Sequence, residues 1–314
     1  MSVLLGLVVL VLGVGLIVWG AETFAEHLAA ASVRLGVSAF AMALLLAGAE
    51  PEELATSVTA SLRGVPAIAF GDVIGANVAI CLVAVGVGAI VATLPFGRRV
   101  RRYALAGLPL GALAAWFSWD GLVTRPEALV LITAYVVFVA TIWIIERQPP
   151  ALGETAELAE AAEKPPGRVG RELLLVLASV IAMAIGALAL VEGLRNVSGV
   201  EATQTKLSLT IIGFATAFEL VVLAWSSARR GISEAVVAAV VGSYAYNATM
   251  TLGAGALARP LHIADASSLH LGWIAMLLAL VAVLAAAIGG EITAKRGAVL
   301  PALYPVFVVA VLAT

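Results

Sequence analysis

Gly48 to Ile80 reads GAEPEELATSVTASLRGVPAIAFGDVIGANVAI, and Phe214 to Asn247 reads FATAFELVVLAWSSARRGISEAVVAAVVGSYAYN. The two stretches align at an offset of 167 residues, which brings Glu52 onto Glu219, Arg63-Gly64 onto Arg230-Gly231 and Gly75 onto Gly242. Each holds acids inside an otherwise apolar run, followed by a basic turn and a glycine-bearing helix. A shared order of acid, Arg-Gly turn and glycine marks an internal duplication.

Outward from these stretches the chain stays apolar. Of its 314 residues 62% are hydrophobic and 12% charged, whereas soluble domains carry about 25% charged residues. That is the composition of a membrane protein. A net charge of −2 leaves no broad basic face for nucleic acid. Cys81 is the lone cysteine, so no intramolecular disulfide forms, and it reads as a small buried hydrophobe. No phosphate-binding Walker loop is present.

A membrane-crossing helix needs about 20 mainly apolar residues. Ten spans are expected, at roughly 2–20, 37–61, 66–94, 103–118, 125–146, 171–192, 205–228, 232–257, 271–290 and 297–313. The first lacks a basic leader and a small-residue cleavage site, so it is read as a retained span. Glu146 to Arg171, with Pro149-Pro150, Pro165-Pro166 and acids at Glu154, Glu157, Glu160 and Glu163, reads as a solvated linker. The expected organisation is thus a first repeat over 1–146, a cytoplasmic linker over 147–170 and a second repeat over 171–314.

Positive charge orients the spans. An outside N-terminus puts 13 of the 18 Lys and Arg on the cytoplasmic side, Arg98, Arg99, Arg101 and Arg102 among them, and leaves five outside: Arg63, Arg125, Arg195, Lys206 and Arg259. Five spans before the linker is an odd number, so the second copy enters the membrane from the opposite face, as in transporters built from inverted repeats. Trp19, Trp116, Trp119 and Trp143 read as interfacial anchors, and His27, His262 and His270 fall at span ends or in loops.

The acids inside spans are the informative residues. Glu50, Glu52 and Glu53 lie midway along the second span, Asp72 in the third and Glu219 in the seventh. A carboxylate at the bilayer centre costs on the order of 3 kcal/mol on insertion scales, so several together call for a compensating cation or proton. Gly48 and Pro51 break the helix beside them and free backbone carbonyls. Glu50 and Glu53, three apart, share a face if the segment is helical. Thr216, Ser243 and Asn247 are expected to stand around Glu219. Carboxylates with hydroxyl, amide and carbonyl oxygens suit a hard cation such as calcium, and no sulfur or imidazole cluster suggests zinc or copper.

The sequence resembles the calcium/cation antiporter superfamily, whose two inverted copies carry a pattern close to GTSxPEL…S…A…RG…GNxxGSNxxN. Gly48, Glu53-Leu54, Ser57, Ala60, Arg63-Gly64, Gly71, Gly75 and Asn77 match the first copy, and the upstream Arg34 to Ser38 resembles its approach. Leu209 to Gly213, Glu219-Leu220, Arg230-Gly231, Gly242-Ser243 and Asn247 match the second after one-residue shifts. The resemblance implies an all-α membrane fold and cation exchange, with Glu53 and Glu219 in the places of the family's paired glutamates. It adds Asn77 to the candidate ligands. Ala49, Glu50, Ala76 and Ile80 replace hydroxyl or amide positions of the first copy, Asp72 takes its first Asn position, and Phe218 replaces proline in the second.

The expectation is a secondary antiporter in the cell inner membrane, exchanging calcium for sodium or protons by alternating access. Its ion ligands are expected to be Glu53, Glu219, Glu50, Glu52, Asp72, Asn77, Thr216, Ser243 and Asn247. It is expected to need no cofactor, to meet only the lipid bilayer and inorganic cations, and to bind no nucleic acid. By resemblance, the first and sixth spans would slide across the others. The alternatives are a proton-coupled exchanger of another divalent cation and, from a different class, a membrane-embedded lipid-processing enzyme.

Overall fold

The computed structural model describes residues 3–35, 50–146, 169–231 and 233–314. The chain forms α1 (Val3–Leu35), α2 (Pro51–Leu62), α3 (Pro66–Ala79), α4 (Val85–Val91), β1 (Leu94–Pro95), α5 (Arg98–Phe117), β2 (Leu122–Val123) and α6 (Arg125–Glu146). It continues as α7 (Val169–Val197), α8 (Glu201–Leu207), α9 (Gly213–Thr216), α10 (Phe218–Arg229), α11 (Ser233–Tyr246), α12 (Leu252–Ala258), β3 (Leu261–His262), α13 (Ser267–Ala286), β4 (Glu291–Ile292), α14 (Ala294–Gly297) and α15 (Val299–Ala313). Single π-helical turns at Ile80–Ala84, Ser208–Ile212 and Asn247–Thr251 join α3 to α4, α8 to α9 and α11 to α12.

Among the described residues seven helical stretches are long and apolar enough to cross a membrane: Val3–Leu28, Pro66–Val91, Arg125–Ile145, Val169–Val197, Glu201–Arg229, Ser267–Ala286 and Ala294–Ala313. The other three expected spans differ for separate reasons. The second runs into residues 36–49, outside the described set, as do Gly48 and the 147–168 linker with its spaced acids. The fourth opens with four arginines, and the eighth is diluted by Ser243, Asn247, Thr249 and Thr251. The arginines expected in loops instead open or close helices: Arg98 to Arg102 form the first turns of α5, and Arg195 lies in the last turn of α7.

The element bounds repeat along the chain. α2, α3, the π turn at 80–84, α4 and β1 recur 167 residues later as α10, α11, the turn at 247–251, α12 and β3. α5 and β2 recur 169 residues on as α13 and β4. Packing follows the same correspondence. α2 packs on α12 as α10 packs on α4, and α3 packs on α13 as α11 packs on α5. Two antiparallel ribbons obey it too: Leu94 pairs Ile292 and Pro95 pairs Glu291, while Leu122 pairs His262 and Val123 pairs Leu261. α5 separates β1 from β2 by 20 residues, about 30 Å of helix, so the ribbons close opposite ends of the bundle. The arginines of α5 share one end with Lys295 and Arg296.

α1 corrects the sequence reading most. Its 33 residues run about 50 Å at 1.5 Å per residue, continuing through Glu22 and His27 where a loop was expected. α7 supports it as an antiparallel partner. Gly6, Gly13, Gly20 and His27 recur every seven residues and face Gly193, Gly186, Ser179 and Glu172 in turn. A Cβ on Gly186 would sit 2.7 Å from the Gly13 carbonyl oxygen, and one on Gly193 2.9 Å from that of Gly6. Small residues let backbones meet where lipid offers no hydrophobic drive between helices. At the end of this seam His27 Nδ1 lies 2.6 Å from Glu172 Oε2, both largely shielded.

Replacing Gly186 by Ala is expected to cost about 1–3 kcal/mol through forced separation of the two backbones. Gly15→Ala, on the open face of α1 with nothing within 4 Å, should leave the thermal unfolding midpoint in detergent unchanged or raised. Equal midpoints for both variants would contradict the seam.

Candidate functional site

Two helix starts deliver the acids to the bundle interior. Pro51 occupies the first turn of α2, where its missing N–H costs nothing, and Glu50 precedes it as the cap, out of helical conformation at φ −106°. Glu52 and Glu53 follow in the first turn, where the helix dipole favours negative charge. In the other half α9 ends at Thr216 and a new helix begins at Phe218 with Glu219 in its first turn. Neither proline nor glycine marks this second break.

Glu53, Asp72 and Asn77 are fully shielded, with exposures of 0%. Glu50, Glu52 and Thr216 are buried, as are Ser243 and Asn247, whereas Glu219 is half-buried. The polar contacts cross between the halves. Thr216 Oγ1 donates to Asp72 Oδ1 at 2.8 Å, and the Ser243 hydroxyl donates to Glu50 Oε1. The Asn247 amide stands beside the Glu53 carboxyl short of hydrogen-bonding geometry. Asp72, Glu52 and Glu219 lie within electrostatic reach of Glu53, and Glu50 lies against Glu52. Asn77 donates to the Tyr244 carbonyl at 3.3 Å, joining positions 77 and 244 of the repeat.

Thr216 and Ser243 donate to first-half acids, Asp72 and Glu50, and Asn247 stands beside Glu53. Glu50 is a cap rather than a helical neighbour of Glu53. Glu53 is fully buried and Glu219 only half-buried. The sequence reading missed the second layer beneath the site, where Ser57 Oγ donates to the Thr251 carbonyl at 3.1 Å and Ser61 Oγ lies 2.7 Å from the Gly255 and Arg259 carbonyls. Those serines fasten α2 to α12, and Ser57 sat inside a quoted stretch without an assigned role. Nor did any residue pattern announce the π turn beside Asn247, a deformation that is common at functional sites.

The buried atoms without partners include donors, Asn247 Nδ2 and Trp273 Nε1 among them, and a set of acceptor oxygens on first-half residues. Both Glu53 oxygens, Asp72 Oδ2 and Asn77 Oδ1 are buried without a hydrogen-bond partner, and each is an acceptor. Such an acceptor costs about 1–3 kcal/mol when left unmade, and a hard cation satisfies several at once. Among the described residues no three His, Cys, Asp or Glu side chains are close enough to form a ready-made metal cage. Any cation here must draw on amide, hydroxyl or carbonyl oxygens as well.

The family described as "Sodium/calcium exchanger protein" matches residues 5–144 and 171–313. An uncharacterised membrane protein of Methanocaldococcus jannaschii is 24% identical over 255 residues, 81% of this chain and 80% of that protein. The putative antiporter CaxA of Alkalimonas amylolytica is 24% identical over 260 residues, covering 82% and 80%. The sodium-calcium exchanger NCX_Mj, in a crystal soaked with 10 mM sodium and no calcium, superposes with a TM-score of 0.63 at 20% identity, over 98% of this chain and 99% of that one.

The Asp72–Thr216 bond between halves is open to a double-mutant cycle. Thr216→Val and Asp72→Ala should each destabilise the protein, and the double variant should lose less than the sum, with a coupling of about 0.5–3 kcal/mol. Strict additivity of the unfolding free energies would place the two side chains apart.

Proposed function

Because the chain belongs to the sodium/calcium exchanger protein family, we propose that it exchanges calcium across the membrane at a site formed by Glu53 and Glu219, with sodium or protons as the counter-ion. It is a multi-pass membrane transporter of inorganic cations, and the lipid-processing enzyme is discarded on family membership. The observation that carries the proposed site is the set of buried acceptor oxygens on Glu53, Asp72 and Asn77, with Glu219 arriving from the other half. Asp72 and Asn77 complete the oxygen set in this reading, while Glu50 and Glu52, already held by Ser243 and each other, shape its rim. Thr216, Ser243 and Asn247 position the acids.

Chemistry dictates the cycle. A cation neutralises carboxylates that are costly in an apolar interior, so the loaded site crosses and the bare acids resist crossing. Calcium and its counter-ion claim the same oxygens and cannot be held together, which makes their fluxes opposite. We read the recurring elements as inverted repeats of five crossings each, ten in all, divided by the 147–170 linker. The shared end of Arg98 to Arg102 with Lys295 and Arg296 supports a cytoplasmic assignment for that end and an outside N-terminus in the inner membrane. Alternating access then consists of one set of helices moving against another around the site.

Reconstituted in vesicles, the protein should drive calcium uptake against an imposed sodium or pH gradient, whichever supplies the counter-ion. Glu53→Gln and Glu219→Gln should each lower that flux by at least about 100-fold, the upper end of what the loss of an outer-shell partner of a metal ligand costs. Wild-type rates in either variant, or no calcium flux under both gradients, would overturn the reading.

A further inference from the structure

A groove of about 430 Å³ runs between α5 and α6, away from the acids, with Arg102 at its mouth and Tyr103, Pro109, Ala134, Phe138 and Ile142 among its walls. Below Arg102 the lining is apolar apart from Thr141 and the Tyr103 hydroxyl. Its floor is buried, at Tyr103, Phe138 and Ile142, and its outer lip is exposed, with Val137 at 57%. The same outer face of α6 shows Leu129, Val130, Val136, Ile144 and Ile145, the surface of a helix that borders hydrocarbon. Pro109 lies inside α5, where a proline removes a backbone bond and bends the helix. Its counterpart 169 residues on is Leu278 in α13, so the fold itself does not require that proline.

We infer that this groove holds one acyl chain of an anionic phospholipid, whose phosphate is met by Arg102 and the neighbouring arginines of α5. Arg98, Arg99, Arg101 and Arg102 crowd the first turns of α5. Arg99 is steadied there by its Nε, which donates to the Tyr103 hydroxyl at 2.7 Å. From Arg102 to Pro109 is about 10 Å of helix, so the slot carries an apolar chain through much of one leaflet, whose hydrocarbon is about 15 Å deep. A free anion would have no use for that slot. A second copy of this chain related by a twofold axis would bring two arginine clusters together, and like charges oppose that contact. A basic mouth over an apolar groove between helices matches a negative headgroup with its own tail.

The test uses the full chain, delipidated in neutral detergent and titrated with phosphatidylglycerol, phosphatidylcholine or inorganic phosphate, with bound lipid counted by native mass spectrometry. One phosphatidylglycerol should be retained at least about tenfold more tightly than phosphatidylcholine, and inorganic phosphate should not displace it. Arg102→Gln should weaken retention about fivefold, the effect of one interfacial arginine. Val137→Trp, which fills the slot from its exposed lip and spares the packed floor, should remove the retained lipid at an unchanged thermal midpoint. Equal retention of the two lipids, retention unchanged in both variants, displacement by phosphate alone, or a dimer that Val137→Trp splits into monomers would each overturn the inference.

Discussion

Everything in this bundle is arranged around carboxylates that an apolar interior does not accept unaided. Glu50, at the cap of α2, and Glu52, Glu53 and Asp72, inside α2 and α3, are all buried, and each charge left alone there costs kilocalories. Helix starts at Pro51 and Phe218 place Glu53 and Glu219 in first turns, where backbone N–H groups and the dipole offset part of that cost. Hydroxyls of Thr216 and Ser243 offset more. What remains on Glu53 and Asp72 is unpaired oxygen, which is what a cation binds.

The halves divide this labour unequally. The acids cluster in the first half, whereas Thr216, Ser243, Asn247, Thr249 and Thr251 of the second are neutral. At the positions equivalent to Glu50 and Asp72 the second half has Ala217 and Ala239, and opposite Ser243 and Asn247 the first half has Ala76 and Ile80. A duplicated frame therefore carries a set of buried polar groups that is not duplicated. The scaffold around it keeps the correspondence, down to the two ribbons that close the ends.

Much of the frame was legible in the residues. The acid, Arg-Gly and glycine order announced the repeat, and Pro51 announced the break before α2. Glu53 and Asp72 stood out because charge in an apolar run has few explanations. What stayed hidden depends on neighbours distant in sequence. Thr216 and Ser243 were read only in relation to Glu219 of their own half, and the acids they donate to, Asp72 and Glu50, lie 144 and 193 residues away. α1 read as ending near Gly20 because Glu22, Glu26 and His27 resemble a loop. Pairing of His27 with Glu172 on α7 lets the helix continue past them. The break before Phe218 lacks a helix-breaking residue and is visible only through its likeness to the first.

That crossing of partners ties the buried acids to the packing of one repeat on the other. Within one rigid half, Asp72 and Glu50 would keep their hydrogen bonds however the halves moved. Here Asp72 is held by Thr216 of α9, and Glu50 by Ser243 of α11. Any motion that separates these elements breaks bonds to buried carboxylates and raises their cost, unless a cation or proton takes the place of the lost donor. In the exchange proposed above, bare acids would therefore resist any separation of α3 from α9 or of α2 from α11, and a bound cation or proton would lower that resistance.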